Sequence, residues 1–375
     1  MIKLVEKLWL GKLATPLPDR HRPVYNWFPM KEAFSRDLVF LLAETWGLKV
    51  GDLVLDPFCG VGTTPLACKE LGLNCVGYDV HPALLFASRV KLRDYDLDRL
   101  RESVKILLKS EFERREIDAP GFVARVFSRS VLEEIVSARQ RIHEIDDEAI
   151  REFMLLGLTV AAMRCSWAHK DGAAIKVMKR PAPPLRKELG SQLRRMCNDI
   201  ERFKSKDASV RVERGDAREL SLDDGSVDAI ITSPPYLGKR EYVHAYRIEQ
   251  WVIGIEGPSE NDLFGSGFHG GSEDFSKVAE FVEGKPPEFR VYFKDMLAAI
   301  KEIYRVCNDG ANVCMVISDG CSQNGPIDVC VPLSELAEKV GFKAKRIVVV
   351  NKRYCTTPAR KKVGITREGL LFLVK

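Results

Sequence analysis

Two short stretches of this 375-residue chain carry residue types in an order that could do chemistry. The first is Asp56-Pro57-Phe58-Cys59-Gly60-Val61-Gly62-Thr63-Thr64, which ends an apolar run and opens a helical pattern. Glycines at 60 and 62 would let the backbone approach a ligand closely and turn into a helix N-terminus. Asp79 closes the next apolar run, 19 residues beyond Gly60, where a carboxylate can accept hydrogen bonds from ribose hydroxyls. The second stretch is Ser233-Pro234-Pro235-Tyr236, directly after the apolar Ala229–Thr232. Two prolines fix the backbone and hold a hydroxyl and an aromatic ring in a set relation. Such a pairing suits an exocyclic amine, a poor nucleophile because its lone pair feeds its ring. Ser233 Oγ and the Pro234 carbonyl could accept hydrogen bonds from the amine and turn its lone pair outward. Tyr236 offers a face on which an extruded base could stack.

The glycine loop admits several nucleotides in principle. A dehydrogenase fingerprint needs glycine at 65, where Pro65 stands, and the Gly-Lys-Ser/Thr of a phosphate-cradling loop is missing. Asp56 stands where a pyrophosphate would otherwise lie. A cationic, phosphate-free nucleoside fits better, and S-adenosylmethionine is one.

Together the two stretches resemble the amino methyltransferases that modify exocyclic base nitrogens. The resemblance implies a cofactor loop of Asp56, Pro57, Phe58, Gly60, Gly62, Thr63 and Thr64, and a catalytic set of Ser233, Pro234, Pro235 and Tyr236. It also implies that the segment around Trp27 and Phe28, with Phe34 and Ser35, lies near the methionine end of the cofactor. Asp79 would take the ribose, and Asp216 with Ala217, after the third strand, the adenine; a turn or helix cap is the plainer role for Asp216. Serine at the first catalytic position goes with cytosine N4 in that family, and Asp or Asn with adenine N6 or glutamine. Carbon-5 methylation of cytosine is excluded, since it uses a Pro-Cys nucleophile and no Pro-Cys occurs. The aromatics between Lys239 and Trp251 could wall a base pocket or pack as core, and His244 could help deprotonate the amine.

Seven apolar runs must position these residues: Asp52–Asp56, Asn74–Asp79, Ser209–Glu213, Asp228–Thr232, Ala311–Ser318, Phe342–Val350 and Gly369–Val374. Helical spacing between some of them, as at Thr64–Leu71 and Tyr292–Val306, predicts an α/β fold. The expectation is a Rossmann-like class I methyltransferase with a mostly parallel seven-stranded sheet. The 129 residues from Val80 to Ala208 exceed any simple crossover. They predict a helical insertion over 94–206, with helices at Leu97–Phe112, Ser130–His143 and Glu148–Ala168, between methyltransferase segments 1–93 and 207–375. The glycine-rich 264–271, within 257–287, has the composition of a lid.

Lys and Arg (58) exceed Asp and Glu (53) only slightly, so affinity for nucleic acid must come from patches. Arg164 to Lys206 holds 12 basic against 4 acidic residues, among them Lys176, Lys179, Arg180, Arg186 and Lys187. Lys239 and Arg240 follow the catalytic motif, and Lys352, Arg353, Arg360, Lys361, Lys362 and Arg367 lie between the last two strands. These clusters suit phosphate contacts, and solvated helix faces are the alternative. The order of motifs with a helical insertion between them resembles archaeal ribosomal-RNA cytidine N4-methyltransferases, implying RNA and the small ribosomal subunit or its precursor as partner. DNA cytosine-N4 methyltransferases of restriction systems are the close alternative, and an inactive nucleic-acid-binding relative is the non-enzyme one.

Ten cysteines lack the paired C-x-x-C of zinc sites, so no metal is expected. A disulfide among Cys307, Cys314, Cys321 and Cys330 stays open. The longest nearly unbroken apolar stretch, Met154–Met163, is too short for a membrane span, and no signal-peptide pattern opens the chain, so a cytoplasmic location is expected.

Overall fold

The computed structural model describes residues 2–375 apart from 113–115, 172–173, 239–244, 259–263, 265–282, 284–286, 323–324 and 357–360. All seven expected runs become strands of one sheet. In chain order the sheet strands are β1 (Leu4–Glu6), β2 (Leu53–Asp56), β3 (Asn74–Asp79), β6 (Val210–Arg214), β7 (Val227–Thr232), β8 (Cys307–Ser318), β11 (Lys343–Thr356) and β12 (Lys362–Val374). Two separate hairpins supply the intervening numbers: β4 (Ala168–Asp171) with β5 (Ala174–Val177), and β9 (Gly320–Ser322) with β10 (Gly325–Ile327). Across the sheet the order is β1-β11-β12-β8-β7-β2-β3-β6, and only β12 runs against its neighbours. With β1 set aside, seven strands remain, six of them parallel, which is the mostly parallel seven-stranded sheet expected from the sequence. The eighth strand, β1, is too short and too mixed in composition to signal itself.

Period-two alternation explains how the sheet is buried on both faces. Leu55, Val76, Ile230 and Val313 pack against α10 (Pro287–Val306) and α11 (Cys330–Val340). Their neighbours Val54, Cys75, Ile231 and Cys314 pack against α1 (Arg36–Trp46) and α2 (Thr63–Leu71). The chain order reverses between β2 and β7, so the loops after these two strands emerge side by side. Open α/β sheets bind ligands at such a switch point.

Between β3 and β6 come α3 (Pro82–Leu92), α4 (Leu97–Lys109), α5 (Gly121–Ala124), α6 (Arg129–His143), α7 (Glu148–Cys165), the β4–β5 hairpin and α8 (Leu185–Arg202). Asp96, Ser128 and Asp147 cap the first turns of α4, α6 and α7 with side-chain oxygens. The expected last helix is shorter than predicted. Ser166 takes an extended backbone and ends α7, and Ala168 already belongs to β4. The sequence reading did not single out α8, whose Leu185, Leu189, Leu193 and Met196 form one buried stripe among charges. The inserted helices share one apolar cluster with Trp27, Phe28, Leu66, Phe86 and with α9 (Arg247–Ile253).

The disulfide reading is corrected. Cys321 of β9 is bonded to Cys355 of β11, a partner outside the four considered, while Cys307, Cys314 and Cys330 are buried thiols. Of the predicted lid only residues 257–258, Phe264, Glu283 and 287 are described, so that expectation, like His244, falls outside the described residues. Among the described residues no helix is long and apolar enough to cross a membrane, and no cluster of His, Cys, Asp and Glu is arranged for a metal.

Phe153 is fully buried and meets Trp27 and Tyr95 edge-on, with ring centroids 5.4 and 5.1 Å away. Phe153→Ala is expected to cost about 3–5 kcal/mol in urea unfolding. The shared core predicts that the loss appears in the one transition that also reports the sheet. A separate early transition for the inserted helices would contradict it.

Candidate active site

The glycine loop leaves β2 and turns into α2 at the switch point. Gly60 and Gly62 have φ of 51° and 79°, a region L side chains rarely adopt. A Cβ on Gly62 would lie 2.1 Å from Ser88 Oγ, and one on Gly60 would lie 3.0 Å from Met30 Sδ. Gly62 thus lets α3 close behind the loop, and Gly60 lets the N-terminal segment close over it. Thr64 does not face the ligand side: it is fully buried, and its hydroxyl donates to the Ile231 carbonyl at 3.1 Å.

Asp79 ends β3 and shapes the loop from the other side. Its Oδ2 accepts from the Gly60 amide and its Oδ1 from the His81 amide, both at 2.8 Å. Burial pushes its carboxyl up, and the His81 and Gly60 amides pull against that. Asp56 ends β2, is 1% exposed, and accepts from Thr232 Oγ1 at 2.6 Å and from the Phe58 amide at 3.2 Å. Burial pushes Asp56 up to about 7; the Thr232 and Thr64 side chains and the Phe58 amide oppose the shift, and the Asp79 charge adds to it.

Thr232 leads straight into the second motif. Ser233 Oγ donates to the Val316 carbonyl of β8 at 3.4 Å, which leaves its lone pairs as acceptors. Tyr236 donates its hydroxyl to Glu368 Oε1 of β12 at 3.1 Å. Glu368 is buried and also accepts from Asn351 at 2.6 Å and Arg353 at 3.3 Å, so the ring is tethered by a satisfied network.

One cavity brings these groups together. Asp56, Pro57, Phe58, Gly60, Thr63, Asp79 and Ala217 line it along with Ser233, Pro234, Pro235 and Tyr236. Sequence reasoning missed Met30, Glu32, Cys59, His81 and Phe264, which share the wall; Phe34, placed near the cofactor by resemblance, is there too. His81 could have been found as the residue after the β3 tip, by analogy with the loop after β2. Met30 and Glu32 carried no local signal.

Several expected site residues lie elsewhere. Trp27 is 1% exposed and donates to Asp199 Oδ2 of α8 at 3.0 Å, anchoring the N-terminal segment to the insertion. Phe28 is buried beside Tyr246, with ring centroids 5.8 Å apart, and faces a neighbouring cavity. The resemblance of the N-terminal segment placed both near the methionine end of the cofactor, and neither lines the cavity. The Asp216 carboxylate is gripped by Arg218, at 2.5 Å from its Nη2, and Arg218 also reaches Asp295 at 3.1 Å. Gly215 and Ala217 therefore present that loop to the cavity rather than the Asp216 side chain.

The described residues of the basic clusters lie at the surface, Arg367 being half-buried. Lys176, Lys179, Arg180, Arg186 and Lys187 are exposed on or after the β4–β5 hairpin and at the start of α8. Lys179 sits 5.6 Å from the Trp167 ring centroid, and Arg186 lies over Phe112 and donates to the Ser110 carbonyl. Lys352 pairs with Glu6 and Arg353 with Glu368, whereas Arg367 is committed to Asp319 at 2.7 Å. Lys361 and Lys362 lie at the start of β12. Lys239, Arg240 and Arg360 lie outside the described residues.

The donor set tests which nucleoside fits. Among the described lining residues are three carboxylates, Glu32, Asp56 and Asp79, and no Lys or Arg. A pyrophosphate would be repelled there, while an ammonium and a sulfonium would be attracted. The cavity fits S-adenosylmethionine.

Comparison with known proteins agrees. A family model of the N6/N4 type, described as a DNA methylase, matches residues 38–87, from α1 through the glycine loop into α3. The chain is 23% identical over 427 aligned positions to the Type II methyltransferase M.BsoBI of Geobacillus stearothermophilus, covering 91% of this chain and 83% of the relative. It is 24% identical over 405 positions to M.MjaII of Methanocaldococcus jannaschii, covering 80% and 73%. A solved S-adenosylmethionine-dependent methyltransferase from Methanosarcina mazei aligns over 89% of this chain and 96% of its own at 11% identity, with a TM-score of 0.34. At that score the strand order, and not the superposition, carries the fold.

Strand order, glycine loop and family match define an S-adenosylmethionine-dependent methyltransferase of class I architecture. Within that class its matches are to the N4/N6 amino type.

Asp79→Ala is expected to weaken S-adenosylmethionine binding by about 1–3 kcal/mol, since a charged acceptor and the brace of Gly60 are both lost. Unchanged calorimetric affinity would remove Asp79 from the cofactor site. Asp56 makes a separate prediction. Its carboxyl titrates near 7 in the fold against an ordinary value of 3.8, so it favours folding fully below about pH 4 and loses that contribution as pH rises to about 7. Asp56→Asn cannot ionise, and should lose on the order of 2–4 kcal/mol less stability than wild type across that interval. Equal slopes of urea stability against pH in the two proteins would contradict it.

Proposed function

We propose that the chain methylates the exocyclic N4 amine of cytosine in nucleic acid. The observation that carries this is the single cavity in which Ser233 and Tyr236 face the glycine loop and Asp79. Bound S-adenosylmethionine would supply an electrophilic methyl carbon on a sulfonium. This chain's residues prepare the nucleophile. Ser233 Oγ, its own proton directed at the Val316 carbonyl, accepts a hydrogen bond from the amine, and the Pro234 carbonyl takes the other. Tyr236, held by Glu368, stacks the base so that the nitrogen lone pair faces the methyl group. Orientation then supplies much of the rate. A hydroxyl at the first position suits cytosine by the resemblance, where adenine-specific relatives carry Asp or Asn.

Duplex DNA is the substrate favoured by the matches, because the matching family is described as a DNA methylase and the relatives are Type II methyltransferases. This displaces the ribosomal-RNA preference drawn from motif order. One observation keeps RNA as a second reading: the 427-position alignment with M.BsoBI is longer than this whole chain, so the relative carries segments this chain lacks. Those segments leave room in the relative for a DNA-reading part without a counterpart in the aligned residues of this chain.

Labelled cofactor incubated with duplex DNA or with immature small ribosomal subunits, followed by nucleoside mass spectrometry, separates these readings. N4-methylcytosine in the duplex is expected. Label in the subunits alone would transfer the assignment to RNA, and label in neither would reject it. Ser233→Ala and Tyr236→Ala should each lower turnover at least about tenfold while cofactor affinity stays within about twofold. Wild-type turnover in both variants would place the chemistry elsewhere.

A further inference from the structure

The pairing of β12 with β8 ends at Glu368↔Ser318. Beyond it β11 and β12 go on pairing with each other, from Lys352↔Arg367 to Thr356↔Lys362. Since β8 runs parallel to β7, this two-stranded arm leaves the sheet at the edge that carries Ser233. Residues 352–367 include six Lys or Arg and no Asp or Glu; at the root Lys352, Arg353 and Arg367 pair with Glu6, Glu368 and Asp319, and Lys361 and Lys362 lie further out along the arm.

One side of the arm is fixed to the protein. Cys355 is buried and bonded to Cys321 of β9. A Cβ on Gly364 would lie 2.5 Å from Pro326 Cδ of β10, so the β9–β10 hairpin packs flat against it. At the root, Glu368 holds Arg353, Asn351 and the hydroxyl of Tyr236. The other side is exposed at its described residues. Tyr354 and Ile365 form a cross-strand pair, 60% and 52% exposed, and Lys362 Nζ sits 3.9 Å from the Tyr354 ring centroid. An aromatic and a β-branched residue opposite each other would normally pack into a core. Here they face outward on a cationic ribbon joined to the catalytic tetrapeptide.

Building on the nucleic-acid methyltransferase reading, we propose that this arm enters the major groove of duplex DNA beside the target base. Tyr354 and Ile365 lie against the base edges, and Lys361 and Lys362 approach the phosphates. The groove of B-form DNA admits a two-stranded β-ribbon, and its thymine methyl groups give apolar side chains a partner. The deep, narrow major groove of A-form RNA admits no such ribbon. The tether from Glu368 to Tyr236 sets the arm's position relative to the ring that receives the extruded base.

The test is fluorescence anisotropy of a labelled duplex in the presence of cofactor, with methyl transfer to the same duplex measured alongside. Tyr354→Ala and Ile365→Ala should each weaken duplex binding about tenfold with an unchanged salt dependence. Lys362→Ala should lower the slope of log affinity against log salt by about one. Wild-type affinity and transfer in both apolar variants, with the wild-type protein methylating the duplex, would overturn the arm alone. Binding and methylation confined to structured RNA would overturn the groove fit. Absence of transfer to any nucleic acid by wild type would bring down the underlying reading and the arm with it.

Discussion

Asp56 and Thr232 are the last residues of adjacent parallel strands, and a 2.6 Å hydrogen bond joins their side chains. From each a functional loop departs: the glycine turn from one, the Ser-Pro-Pro-Tyr motif from the other. A hydrogen bond from a hydroxyl to a buried carboxyl tolerates little displacement. It therefore fixes how far the glycine loop and the Ser-Pro-Pro-Tyr motif stand apart. The reversal of strand order at β2 and β7 makes the contact possible, since elsewhere in a doubly wound sheet a crossover would separate two such loops. Asp56 is thus a brace between two strand tips as well as part of the cavity wall, and its raised proton affinity comes from its dry position, against the pull of the Thr232 hydroxyl.

What could be read without coordinates follows from how locally each feature is encoded. The strands are legible because both sheet faces are buried, so apolar runs bounded by Gly or Asp mark them. The same signal fails beyond Val350 and before Gly369, where β11 and β12 continue for several residues with polar and charged side chains. The ladder hydrogen bonds persist there, but no core demands apolar residues. Only the part of each strand that packs was visible. The glycine loop and the tetrapeptide were legible because their backbone demands restrict residue type. Trp27 and Phe28, placed by resemblance alone, pack in the core beside the cavity, because burial in a core and contact with a ligand select the same aromatics. Nothing in the sequence around Asp216 distinguishes a carboxylate free for a ligand from one held by Arg218.

The insertion is bound to the active edge more closely than its length suggests. Trp27 reaches Asp199 of α8, Lys31 donates to the Lys170 carbonyl of β4, and Lys170 pairs with Glu249 of α9. Buried Lys91 of α3 donates to the carbonyls of Tyr25 and Val61, tying the N-terminal segment to the glycine loop. Burial lowers Lys91 to about 7, and the charge of Asp19 pulls the other way. These links make the segment from Tyr25 to Phe34 a strap between the inserted helices and the cofactor cavity. A substrate held by the insertion would bear on that strap directly.

Charge is partitioned in a way that matters for any polyanionic substrate. The described cavity wall carries carboxylates and no Lys or Arg, while the β4–β5 hairpin, the start of α8 and the β11–β12 arm are cationic. A phosphate backbone is attracted to the rim and repelled from the interior. A base carries no charge at neutral pH and meets no such barrier. For the proposed nucleic-acid substrate, this distribution would favour leaving the phosphates outside and turning the base inward, towards the tethered Tyr236. The same field that excludes phosphate favours a sulfonium within. One distribution of charge would thus suit both reactants of the proposed transfer.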